Sequence, residues 1–267
     1  MVIGAPDVGK STFARYLYER LLVEGNKVAF LDGDPGQSML GPPTSITLAF
    51  PHPGENTFPP RGEMRRRFVG SVTPSGHMLQ MLVGVARLAK AAFEVGADVV
   101  VYDTSGLIDP NQGGIALKLA KIDLLRPEAV FAIQNGSELE SLSIPLRRSQ
   151  RTRLVDVQAS PDVHPRDSSD RQAHRAAQFS RYFHSAQQVK VDWTRLPIFP
   201  APRLSLSRLV SFDDIDGFML GLGLVQEIDR QGHTVKLLTP FNSLERTGWI
   251  TLGDISLDQT TFRDYRI

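Results

Sequence analysis

The sequence predicts an α/β protein, a doubly wound and mainly parallel sheet followed by a small β-rich C-terminal domain. Three observations carry this. Apolar runs alternate with segments of helical periodicity up to about residue 183, the pattern of parallel βαβ units. A glycine-rich stretch, GAPDVGKST (Gly4–Thr12), lies between a strand stub and a helix. After the linker LPIFPAPRL (Leu196–Leu204) the helical period stops, and short runs punctuated by Gly and Asp take over.

The elements follow in order. Val2–Ile3 is the strand stub, Lys10–Glu24 a helix and Lys27–Asp32 (KVAFLD) a strand expected to neighbour the stub in the sheet. Pro42–Pro60, rich in Pro, Gly and Thr, reads as a long loop. Gly76–Val95 has helical spacing, and Val99–Asp103 (VVVYD) is the continuous run of a strand buried on both faces. Ile115–Leu125 and Glu138–Leu146 are helices; Ala129–Gln134 and Leu154–Gln158 are strands. Ser160–Ser169 is loop-like, and the polar, arginine-bearing helix after it ends in RYF at Arg181–Phe183, which suits a lid. Met219–Val225, Thr234–Leu238 and Trp249–Leu252 read as strands. The expected division is residues 1–197, with a lid around 160–183, and residues 198–267; there is no internal repeat.

Bulk properties narrow the function. The chain has 267 residues, 41% of them hydrophobic, enough for a proper core. No run of eighteen apolar residues suggests a membrane helix, and the N-terminus lacks the charged and apolar regions of a secretory signal. Cysteine is absent, which excludes disulfides and thiolate metal sites and fits a cytoplasmic protein. A net charge of +1 does not mark the whole molecule as nucleic-acid binding. Arginines nevertheless cluster at Arg61–Arg67, Arg147–Arg153 and Arg166–Arg181. Each cluster is either a solvated face or a set of phosphate forks.

Gly4–Ser11 matches G-x-x-x-x-G-K-[ST], in the strand–helix context that this P-loop requires. Gly4 and Gly9 let the loop wrap, so that the backbone N–H groups from Asp7 and Val8 onward meet β- and γ-phosphate oxygens. Lys10 brings a point charge to the same oxygens, Ser11 ligates Mg²⁺, and Thr12 reaches the α-phosphate. VVVYDTSG (Val99–Gly106) supplies the second half. Asp103 ends a buried strand where it can hold Mg²⁺ through water, and Thr104 and Ser105 approach the γ-phosphate. AKID (Ala120–Asp123) lacks the Asn or Thr of a guanine-reading motif, which favours ATP. LDGDPGQ (Leu31–Gln37) then puts Asp32 and Asp34 on one lip of the site, positioned to take a hydroxyl proton or to ligate Mg²⁺.

Together, GAPDVGKST, DGDPGQ with GPPT, GSVTPSGH (Gly70–His77) and DTSGLI (Asp103–Ile108) resemble the Clp/Grc-type polynucleotide 5′-hydroxyl kinases. KIDLLRPEAVFAIQ (Lys121–Gln134), RQAHRAAQFSRYF (Arg171–Phe183) and GLGLVQEID (Gly221–Asp229) extend the resemblance over nearly the whole chain. It implies transfer of the γ-phosphoryl of ATP to the 5′-hydroxyl end of single-stranded RNA or DNA. It further implies Asp34 as the catalytic carboxylate with Gln37 behind it, and Asp32 as a second acidic group supporting Mg²⁺ or local hydrogen bonds. Arg171 and Arg175, one turn apart on the lid helix, are the phosphate-contacting arginines it implies; Arg181 is a further candidate. Thr73 starts a segment whose helix N-terminus could hold an RNA phosphate; His77 either contacts that phosphate or caps the helix. Arg65–Arg67 could track the RNA backbone. Eukaryotic relatives carry a base-stacking Trp where this chain has Leu107, and an N-terminal domain, so the chain looks like a minimal, prokaryote-type form. No histidine spacing suggests a metal besides Mg²⁺. Two other readings share the phosphate loop: an ATPase switch of the partitioning or metallochaperone kind, and an ATP-binding scaffold in RNA processing.

Overall fold

A computed structural model describes residues 1–162, 165–241 and 243–267; the part of the expected lid at 163–164 lies outside the described residues. Strand β1 (Val2–Gly4) and helix α1 (Lys10–Val23) flank the glycine-rich loop. Then come β2 (Val28–Gly33), β3 (Ser45–Ala49), β4 (Met64–Phe68), α2 (Met78–Glu94) and β5 (Val99–Thr104). Helix α3 (Gly114–Leu125), β6 (Ala129–Gln134), α4 (Glu140–Ser149) and β7 (Arg153–Gln158) complete the first sheet and its helices. Its order is β4-β3-β2-β5-β1-β6-β7. The five strands from β2 to β7 are parallel, whereas β3 and β4 add antiparallel.

Two expectations are corrected. Strand β2 does not neighbour β1, because β5 inserts between them. Its register pairs Asp32 with Asp103, so the two strand-end carboxylates lie side by side, about 4.8 Å apart in backbone spacing. The supposed loop 42–60 contains β3, whose five residues are all buried. Ser-Ile-Thr-Leu-Ala is short and sits among prolines, but it covers the edge of β2 and closes the core beneath α2. The next strand, MRRRF, is the outermost of this sheet, and its three arginines are half-buried.

After β7, helix α5 (Ser168–Phe183) is capped by Asp167, which accepts from the Asp170 N–H at 2.7 Å. Strands β8 (Gln187–Asp192), β9 (Ile198–Phe199), β10 (Arg208–Asp213), β11 (Met219–Asp229), β12 (Thr234–Thr239), β13 (Trp249–Leu257) and β14 (Asp264–Arg266) follow. They form a second sheet, β14-β13-β10-β11-β12-β8, with β9 added parallel on β13. Strand β8 pairs within this sheet although it lies ahead of the linker. Helix α5 is docked on that sheet: Phe179 and Phe183 are buried with Phe68, Leu222, Leu224 and Ile255. Each such aromatic contributes about 1.5–3 kcal/mol on burial.

Candidate active site

At the C-terminal ends of β1, β2 and β5 opens a cleft of about 580 Å³, where ligands sit in open α/β sheets. The loop between β1 and α1 forms its floor. Gly9, at the N-cap of α1, has φ 92°, a left-handed conformation that suits glycine. Asp7 adopts φ 54° without being glycine. Its carboxylate meets Arg171 at 2.5 Å and Arg166 at 3.2 Å. Partial burial pushes the Asp7 carboxyl up, but the Arg171 and Arg166 contacts outweigh this and hold it below the usual range. Lys10 is buried, donates to the Ala5 carbonyl, and is lowered by that burial. The turn after β5 is clamped on the same loop, since a Cβ at Gly106 would lie 2.8 Å from Pro6 Cα.

Beneath the floor lie the buried carboxylates. Ser11 Oγ donates to Asp103 Oδ2 at 2.6 Å, while Asp103 Oδ1 is buried with no hydrogen-bond partner among the described residues. Burial, aided by nearby Asp32, pushes the Asp103 carboxyl up to about 7 despite the Ser11 bond. An orphaned carboxylate oxygen beside a hydroxyl is an all-oxygen donor set that fits a hard cation such as Mg²⁺. Asp32 is differently placed. Its Oδ2 accepts from Ser38 Oγ at 2.8 Å, Met39 N–H at 2.7 Å and Leu40 N–H at 3.0 Å. These bonds hold the 34–41 loop against the strand. Burial pushes it up to about 6. Asp34 is only partly buried and lines the cleft. Both its bonds, from Gly36 N–H at 2.9 Å and Gln37 N–H at 3.1 Å, fall on Oδ1, so Oδ2 stays available.

The cleft thus brings together Asp7, Gly9, Lys10, Ser11, Thr12, Asp34, Gln37, Thr73, Ser105, Arg171 and Arg175, with Leu107 on its wall. Gly4, Val8, Asp32, Asp103 and Thr104 are buried behind that surface. Thr104 Oγ1 donates to the Val2 carbonyl at 2.8 Å. His77 occupies the N-cap position of α2 without a side-chain cap. Its ring faces Asp254 at 2.9 Å and does not line the cleft. Neither Arg181 nor Arg65–Arg67 lines it.

Sequence reasoning missed two lysines on α3. Lys118 and Lys121 stand three apart in ALKLAKIDLL, where a helical lysine ordinarily reads as exposed, yet both are fully buried. Lys118 Nζ donates to the Ser105 carbonyl at 2.7 Å and to Thr104 Oγ1 at 3.3 Å, fixing the turn that faces the phosphate loop. Lys121 lies over the Tyr102 ring at 5.3 Å, and burial lowers it to about 7. An unfolded lysine keeps its proton to about 10.4. Folding therefore releases a proton between pH 7 and about 10, and stability climbs with pH across that window. Lys121→Met should flatten the climb. By thermal denaturation, its Tm relative to wild type should be higher at pH 7 than at pH 9.5 by roughly 3 °C or more.

Residues 4–185 match the family described as mRNA cleavage and polyadenylation factor CLP1 P-loop. The chain belongs to this family. Among its curated relatives, the polyribonucleotide 5′-hydroxyl-kinase of Methanocaldococcus jannaschii is 26% identical, over 97% of this chain and 87% of that protein. The polyribonucleotide 5′-hydroxyl-kinase of Pyrococcus abyssi is 25% identical, over 96% and 86%. That of Thermococcus kodakarensis is 34% identical over 74% of this chain and 55% of its own length. A solved Clp1p–Pcf11p complex has a Clp1-like fold at TM-score 0.70 and 14% identity, covering 97% of this chain and 74% of that one. At that TM-score this chain shares its fold with the Clp1 chain of that complex.

Proposed function

We propose that this chain is an ATP-dependent polynucleotide 5′-hydroxyl kinase, transferring the γ-phosphoryl of ATP to the 5′-hydroxyl end of single-stranded RNA, with DNA as a second acceptor. The observation that carries this reading is the cleft itself: a phosphate loop, an available carboxylate oxygen on Asp34 and two lid arginines line one cavity. The names of the archaeal relatives support the same activity.

ATP lies with its phosphates in the Gly4–Thr12 loop, and the N–H groups, Lys10, Arg171 and Arg175 neutralise charge as it shifts onto ADP. Ser11 and Asp103 would hold Mg²⁺, which would supply positive charge against the phosphates. Asp34 takes the proton from the 5′ oxygen as the new P–O bond forms and the bond to ADP breaks. Gln37, Thr73 and Ser105 face the acceptor side. Leu107 gives the terminal base an apolar wall in place of a stacking ring. Among the described residues no helix is long and apolar enough to cross a membrane, and we propose a cytoplasmic setting.

The test is incubation with γ-labelled ATP, Mg²⁺ and a 5′-hydroxyl oligonucleotide. Label on the oligonucleotide is the expected result. Free phosphate alone, unaffected by RNA, points instead to an ATPase switch, and binding without turnover to a scaffold.

A further inference from the structure

The two lid arginines are held in different ways. Arg171 pairs through Nη2 with Asp7, inside the phosphate loop. Arg175 pairs with Asp264 on β14, near the other end of the chain: Nε to Oδ1 at 2.9 Å and Nη2 to Oδ2 at 3.0 Å. This pair is well shielded, with side-chain exposures of 13% and 7%. A carboxylate that takes the Nε–Nη2 edge of a guanidinium leaves Nη1 free to donate elsewhere. Since Arg175 lines the cleft and Asp264 does not, the carboxylate grips the fork from behind.

The grip is reinforced. Gln172 Nε2 donates to the Asp264 carbonyl at 2.8 Å, and Phe262 stacks on Phe183 of the lid with centroids 5.9 Å apart and planes 9° from parallel. The same hairpin reaches the opposite lip: Asp254, on β13, meets His77 at 2.9 Å, just after the Thr73–Pro74 wall of the cleft.

We propose that Asp264 is a positioning residue for phosphoryl transfer, presenting the free face of Arg175 to the ATP phosphates. The β13–β14 hairpin is thereby part of the transfer machinery. This rests on the kinase reading of the cleft. A free arginine samples many rotamers, whereas one pinned at two atoms donates from one place. Preorganised donors of that kind act on charge that develops in the transition state, so the effect falls on kcat more than on ATP binding.

The experiment uses the full chain as Asp264→Asn, Asp264→Ala, Asp264→Glu, Arg175→Ala and the Arg175→Ala/Asp264→Ala double variant. Steady-state phosphorylation of a 5′-hydroxyl oligonucleotide is measured with each. Asp264→Asn and Asp264→Ala should cut kcat by about 10–100-fold with KM for ATP changed by no more than about threefold. Asp264→Glu should recover part of the loss. The double variant should be within about twofold of Arg175→Ala, because Asp264 acts through Arg175. Asp264→Asn with wild-type kcat overturns the proposal, as does a double variant whose loss is the product of the two single losses. Should Asp264→Ala fail to fold, Asp264→Asn, of the same shape, carries the test. If wild-type protein hydrolyses ATP without labelling the oligonucleotide, the kinase reading fails. The same cycle is then read on hydrolysis, so the two failures are told apart.

Discussion

Asp34→Asn should lower kcat for transfer to a 5′-hydroxyl end by about 10²–10⁴-fold, with KM for ATP changed by no more than about threefold. The substitution is clean because of how the carboxylate is held. The Gly36 and Gln37 N–H groups both donate to Oδ1, and an asparagine can keep its carbonyl oxygen there. The 34–41 loop, fixed separately through Asp32, should stay in place. What is lost is the basic oxygen toward the acceptor. A circular dichroism spectrum and Tm like those of wild type, with transfer abolished and nucleotide still bound, is the expected set of results. An Asp34→Asn protein that retains full transfer would remove the proton-accepting role from this residue.

Asp103→Asn should move activity and stability in opposite directions. Transfer should fall by about 10²-fold or more, because Ser11 would lose the carboxylate proposed to hold Mg²⁺ with it. The nucleotide-free protein should become more stable at pH 8. Asp103 is raised from 3.8 to about 7 in the folded state, chiefly by burial. Its contribution is thus present below about pH 4 and lost as pH rises through 7, where folding must bury a charge. Asparagine carries no such loss. One kcal/mol shifts Tm by about 2–4 °C in a chain of this size, so a rise of roughly 3 °C or more is expected at pH 8, shrinking severalfold by pH 4.5. Adding Mg²⁺ and ATP should stabilise the wild type more than the variant. A variant less stable than wild type at pH 8 would contradict the burial argument.

Local chemistry was legible in the sequence; long-range pairing was not. The phosphate loop declares itself because its spacing, glycines and flanking elements are contiguous. The place of Asp34 on the cleft was readable because β2 ends on the same edge of the sheet as the strand before the phosphate loop. The same reasoning misjudged strand order, since nothing in KVAFLD says that VVVYD will slot between it and β1. Strand β3 was hidden by the prolines on either side of it. The alternation in QQVKVD, by contrast, was a period-2 signal for β8 that could have been read. For Asp32, the strand end left cation binding and hydrogen bonding equally open, and the donors that occupy it lie six to eight residues on. Lys118 and Lys121 look like surface residues until α3 is packed on the sheet. Partners such as Asp254 for His77 and Asp264 for Arg175, 177 and 89 residues away in the chain, have no local signature at all.

Helix α5 leaves the first sheet through β7 and enters the second through β8, so it is the covalent bridge between them. Its apolar side is buried in the second sheet's core, and its polar side carries the arginines. Such a helix is no flap on a hinge of its own; it swings only when the whole second sheet swings. Displacing it from the phosphate loop would mean either uncovering Phe179 and Phe183 or carrying the second sheet along with them.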